Sequence, residues 1–179
     1  MSAFDLTSYL KQGVKNEKVE LTPLLNGYAP KALAAKLLLY IGKDDAHCSF
    51  KAADALGQLI KEDRIAINDY KTTLIDLLQC NPKALPFQFP LFIGQLSLDQ
   101  KTLGVVWATL SDWVSKNHAS RIFRVNCLQA LYDLKTPALQ HDYDLIVESL
   151  SHIPIASLQA RIRICLLYTS PSPRDNPAS

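Results

Sequence analysis

Any chemistry in this chain has to come from four histidines, scattered carboxylates, four cysteines and one small gathering of cations. The densest cluster is His141-Asp142-Tyr143-Asp144. A metal held by His141 and Asp144 would have two ligands at i,i+3 and no third nearby in sequence, short of what a zinc site uses. Acids at the start of a helix, meeting the positive end of its dipole, explain the cluster more simply. Asp44-Asp45 and Glu62-Asp63 are tandem carboxylates that could share acid–base work. Both fall between helical patterns, however, where they read as turn residues or N-caps. Cys48, Cys80, Cys127 and Cys165 are far apart with no CxxC, and the first three read as thiols packed like small hydrophobes. HExxH, GxSxG, Walker A and GxGxxG patterns are all missing. The expectation is a chain without catalytic residues, metal or cofactor, and not an enzyme.

The cations are more suggestive. Lys116, His118, Arg121 and Arg124 lie close in sequence, with Arg161 and Arg163 as further members. Arg121 and Arg124 stand at i,i+3 on one helix face, and guanidinium forks match phosphate oxygens. Lys116, His118, Arg121 and Arg124 are therefore the candidate binding patch, with a solvated face or an arginine bonded to a neighbouring loop as the plainer readings. Trp107 and Trp113 read as core fillers, or as stacking platforms if exposed.

The elements that must position these residues are helical. In Ser120–Leu134, Phe123, Cys127, Ala130, Leu131 and Leu134 form one apolar stripe behind Ser120 as N-cap. Similar stripes are Phe50, Ala53, Leu56, Leu59 and Ile60 in Cys48–Lys61, and Tyr70, Leu74, Leu77 and Leu78 in Ile67–Cys80. Lys101–Lys116 offers Val105, Val106, Ala108, Leu110 and Trp113, and Asp142–Ser151 offers Leu145, Ile146 and Leu150. Nothing alternates with a period of two, so no strand is expected. Gly13, Gly27 and Gly42 read as C-terminal glycines, and Asn81-Pro82, Leu85-Pro86, Thr136-Pro137 and Ile153-Pro154 as breaks. Pro90 either kinks a helix over Pro86–Leu96 or starts one at Phe89-Pro90. Gly57, Gly94 and Gly104, inside helical patterns, predict close helix packing.

Two segments resemble each other. Phe50-Lys51 followed by Ala55-Leu56 and Leu59 echoes Phe123-Arg124 followed by Ala130-Leu131 and Leu134. They are about 75 residues apart, near twice a HEAT unit of about 40. The apolar–Arg step and the Ala-Leu-x-x-Leu run of Phe123 to Leu134 resemble the first helix of a HEAT repeat. That resemblance implies an all-α, right-handed solenoid of antiparallel helix pairs, HEAT/armadillo-like, with about four repeats. First helices would begin near Glu20, Cys48, Pro86, Ser120 and Ala156, and second helices would span Pro30–Gly42, Ile67–Cys80, Lys101–Lys116 and Leu139–His152. The Glu20 and Pro86 copies depart from the pattern. Such a scaffold implies protein partners. The alternative is a nucleic-acid-binding HEAT-like protein of the DNA-repair type, using Arg121 and Arg124.

A net charge of +2 gives no global field favouring nucleic acid or an anionic membrane. No apolar run approaches the roughly 18 residues of a membrane span. A cytoplasmic location without membrane contact is the expectation. Finally, Cys165 to Asp175 reads CLLYTSPSPRD. This resembles, residue for residue, a translated transposon-end adapter of sequencing libraries, and Asn176 to Ser179 match the index and constant bases that follow it. The expected division is a HEAT-like unit over 1–164, C-terminally truncated, and a non-native, disordered tail over 165–179.

Overall fold

Four helices begin where a short oxygen-bearing side chain can accept a free backbone N–H. Asp5 opens α1 (Leu6–Lys11), Asp45 opens α4 (Ala46–Lys61), Asp99 opens α7 (Gln100–Ser115) and Ser120 opens α8 (Arg121–Leu134). Their acceptor oxygens lie 3.0 Å from the Cys48 N–H nitrogen, 2.9 Å from that of Thr102 and 3.3 Å from that of Phe123. Pro30 fills the first turn of α3 (Pro30–Leu38) and Pro90 that of α6 (Phe89–Gly94), positions where a missing N–H costs nothing. Of the two helices the sequence allows around Pro90, the structure thus holds the shorter, started at Phe89-Pro90.

The computed structural model describes residues 4–15, 17–116 and 120–169, with side chains described as far as Ile164. The remaining helices are α2 (Leu21–Gly27), α5 (Lys71–Asp76), α9 (Gln140–Ser151) and α10 (Ala156–Thr169). Short 3₁₀ turns flank α5 and precede α6 and α9. Among the described residues all regular structure is helical and no strand occurs. The expected Ile67–Cys80 helix is a 3₁₀–α–3₁₀ series. α10 crosses the sequence boundary at 164/165 without a break.

Two helices organise the packing. α4 lies against α1, α2 and α3, and α8 against α6, α7 and α10, while α7 meets α9, α9 meets α10 and α5 meets α6. The interior is continuous from Leu6 and Leu10 through Leu33, Leu37, Leu56, Leu59, Leu74 and Ile93 to Leu131, Leu150 and Leu158. Each such side chain contributes roughly 1.5–3 kcal/mol. Ala55, Leu56, Leu59, Ala130, Leu131 and Leu134, the paired positions of the internal echo, are all buried. Trp113 sits between Phe89 and Phe123, with ring centroids 6.4 and 5.5 Å away. Gly94 lets α6 and α8 close up, since a Cβ there would stand 3.0 Å from the Ala130 Cα. Gly42 takes φ +78°, the left-handed turn that ends a helical stretch.

Three expectations need correction. In α7, Val105 is 53% exposed and Ala108 is also exposed, while Val106, Trp107, Leu110, Trp113 and Val114 are buried. In α9, Leu145 is 49% exposed and the inward stripe is Tyr143, Val147 and Leu150. Neighbouring helical residues stand about 100° apart, so a wide apolar stripe is cut by whichever partners arrive. Gly104 serves no close contact, since a Cβ added there would meet nothing within 4 Å.

One hydrogen-bond pattern recurs at a fixed sequence separation. Lys51 Nζ donates to the Gln12 carbonyl, Gln58 Nε2 to Val19, Tyr70 Oη to Lys31 and Asn126 Nδ2 to Phe87. Each of these bonds spans 39 residues.

Candidate functional site

Of the candidate patch, Arg124 does not reach the surface. Arg124 is only 4% exposed, and its Nε donates to the Val114 carbonyl at 2.9 Å. That carbonyl belongs to the last turn of α7, where no intrahelical donor exists and the dipole is negative. Arg121, one turn earlier on α8, is exposed. Lys116 pairs with Asp112 one turn back, and His118 lies outside the described residues. Arg161 turns to α8, donating to Gln129 Oε1 at 2.8 Å, and Arg163 is exposed. Of the open readings, a structural arginine bonded to a neighbouring element describes Arg124.

Lys51, the counterpart in the echo, behaves likewise. It is 5% exposed, bonds the Gln12 carbonyl just past α1, and lies 5.8 Å from the centre of the Tyr9 ring. A cation within the buried face of α4 or α8 is tolerated because each finds a carbonyl that a helix end has left free.

The remaining reactive groups are dispersed. Asp142 accepts from the Trp107 indole, joining α9 to α7, and Asp144 accepts from Gln140. Among the described residues no three His, Cys, Asp or Glu side chains gather as a metal-ligand set. Asp45 is held below its ordinary value by the Cys48 N–H and thiol. Burial raises the Cys48 thiol, with its bond to Asp45 adding to the effect, and burial pushes the Cys127 thiol far above the ordinary range. Glu62 pairs with Arg64 at 3.5 Å, and Asp63 occupies the left-handed region at φ 56°.

Among the described residues, the surfaces open to binding include the following two. One follows the helices that alternate with α4, α6 and α8, where Leu39 (66% exposed, just past α3), Val105 on α7 and Leu145 on α9 are large apolar side chains left in solvent, as are Ile122 on α8 and Ile164 on α10 in the other row. The other is a groove of about 520 Å³ between α4 and α6, roofed on one side by Lys18 and Val19. Its α4 wall includes Asp54, Gly57, Gln58 and Lys61, and its α6 wall Gln88, Phe92 and Gln95. The groove exists because these helices stand apart. A Cβ on Gly57 would meet only the Phe92 ring, at 3.7 Å, against the 3.0 Å approach at Gly94. Asp54 accepts from the Val19 N–H at 2.8 Å and from Gln58 Nε2 at 3.0 Å. Sequence reasoning missed this groove, because glutamines and lysines a few turns apart are what any solvated helix face carries.

Comparison with protein-family models, with curated proteins and with solved structures found no match to this chain.

Proposed function

We propose that residues 1–164 form a HEAT-like, right-handed solenoid of about four antiparallel helix pairs that serves as a non-catalytic scaffold for protein partners. The observation that carries this reading is the packing of helices in two rows, with Tyr70 to Lys31 and Asn126 to Phe87 each bonding across 39 residues between successive pairs. A separation near the length of one unit is what stacking of each unit on the next produces. The contacts support it: α6, α8 and α10 run in one row, α7 and α9 in another, and α3–α4, α7–α8 and α9–α10 link the rows. α1 is an addition to that scheme, packed on α4. In a stack of this kind the second helices offer a continuous surface, and Leu39, Val105 and Leu145 supply it with exposed apolar area.

The nucleic-acid alternative loses its main support with Arg124 turned inward and Lys116 paired. Residues 165–179 stay outside the proposed scaffold on the strength of their adapter resemblance. Amplifying the gene from source DNA tests this directly: codons diverging after Ile164 support it, and the same tail in the genome refutes it.

The functional test starts with affinity capture on the immobilised chain and continues with titration of each purified candidate. A one-to-one complex weakened by Val105→Glu and Leu145→Glu, in variants that keep their helical circular dichroism, is the expected result. Steeply salt-dependent submicromolar binding to duplex DNA, with no protein partner, would overturn the reading.

A further inference from the structure

Asparagine is followed by glycine at one place in the chain, Asn26-Gly27, the last two residues of α2. The Asn26 side chain is exposed and forms no hydrogen bond with a described residue. Gly27 is exposed too, and without a Cβ it leaves its own backbone nitrogen unshielded. A notch of about 320 Å³, lined by Leu25, Asn26, Gly27 and Pro30 among others, gives water access to both residues. What holds the pair in place is the closing turn of a seven-residue helix, where the Tyr28 N–H donates to the Leu24 carbonyl at 3.0 Å. Such end turns open locally far more readily than a packed core does.

We propose that Asn26 is a site of spontaneous deamidation, and that its isoaspartate product loosens the N-terminal end of the fold. With the end turn open, the Gly27 nitrogen gives up its proton to solvent and attacks Asn26 Cγ. The new C–N bond closes a five-membered imide, and the Cγ–Nδ2 bond breaks with release of ammonia. Water then opens the ring. Addition at the side-chain carbonyl leaves aspartate, and addition at the main-chain carbonyl leaves isoaspartate, whose backbone runs through Cβ and is longer by one carbon. The net reaction is amide plus water to carboxylate plus ammonium, which is why asparagine counts among the thermolabile residues. The longer backbone matters because of Phe4. A Cβ on Gly27 would lie 2.8 Å from the Phe4 Cβ, so the two residues touch closely. Phe4 also meets the Tyr28 ring edge-on, with centroids 6.1 Å apart, and its carbonyl accepts from Tyr28 Oη at 2.9 Å. An extra backbone atom just before Gly27 breaks that register and frees Phe4, which leads into α1 through Asp5. Aspartate leaves the backbone as it was. This ageing step is independent of the scaffold reading.

The test incubates the full chain at neutral pH, well below its melting temperature, and digests samples with trypsin at intervals. Asn26 is the only asparagine in the fragment 19–31, released by cleavage after Lys18 and Lys31. Exchange of NH₂ for OH should appear in that fragment before any other, split by chromatography into an aspartate and an isoaspartate form. Its rate should rise with pH, because the attacking nitrogen must first lose its proton. Asn26→Gln, whose longer side chain closes the ring far more slowly, should stay unconverted and melt with wild type. Asn26→Asp should also melt close to wild type, whereas the deamidated fraction, separated by its added negative charge, should melt lower than either. An Asn26 that stays intact while the same chain in urea converts would overturn the proposal, since folded α2 would then protect it. Earlier conversion of another asparagine would overturn it as well. A deamidated fraction that melts with Asn26→Asp would refute the loosening of the N-terminal end.

Discussion

Replacing Arg124 with alanine separates a surface patch from an internal strut. In the structure Arg124 is 4% exposed and its Nε–H reaches the Val114 carbonyl at 2.9 Å. A hydrogen bond from a charged donor contributes about 1.5–3 kcal/mol. Losing its buried methylene stem adds about 0.8 kcal/mol per CH₂. Removing the guanidinium also relieves the cost of keeping a charge away from water, which offsets part of the loss. The net expectation is a destabilisation of about 2–4 kcal/mol. For a chain of this size 1 kcal/mol corresponds to about 2–4 °C, so the Tm should fall by roughly 4–16 °C. Arg124→Met, which keeps the stem and loses the bond, should fall between wild type and alanine. Arg121→Ala, one turn away and exposed, should stay within about 0.5 kcal/mol, or about 2 °C. Thermal melts by circular dichroism on the four proteins decide the matter. If Arg124→Ala melts with Arg121→Ala and wild type, the guanidinium lies in solvent and the internal-strut assignment is wrong.

Two glycines should respond in opposite directions to alanine. Gly104→Ala, in open space inside α7, should stabilise by up to about 1 kcal/mol, while Gly94→Ala, whose Cβ would press on Ala130, should destabilise; urea melts with opposite shifts of midpoint are the check. Asp45 has its folded carboxyl depressed by the Cys48 N–H and thiol. Its contribution is therefore complete above the unfolded value of about 3.8 and is lost as pH falls through the lower folded value, so Asp45→Asn should flatten the acid limb of a pH–stability curve. Cys127, with its thiol pushed far up by burial, should resist iodoacetamide at neutral pH in the native chain while half-buried Cys80 reacts; equal rates by mass spectrometry would contradict the burial. Leu131→Ala should cost about 2–5 kcal/mol and Leu145→Ala little, the difference being full burial against half exposure.

The sequence alone determined the helices, because a helix is specified locally. Ser120 and Asp45 cap through their own side chains, whereas Pro90 fits two helices and only the structure starts α6 at Phe89. The echo of Phe50-Lys51 and Phe123-Arg124 was also legible, with its six apolar positions all buried. Tertiary structure alone decided which edge of each stripe is covered. Val105 and Val106 are equally apolar neighbours, and only the arrival of α8 and α9 beside α7 buries one and exposes the other. The same holds for the cations. Arg121 and Arg124 are chemically identical, and i,i+3 spacing places them side by side on an isolated helix. The free carbonyl of Val114, brought in by a separate helix, draws one inward and leaves the other in water. A buried charge needs a partner, and a partner ten residues away on a separate helix is a property of packing.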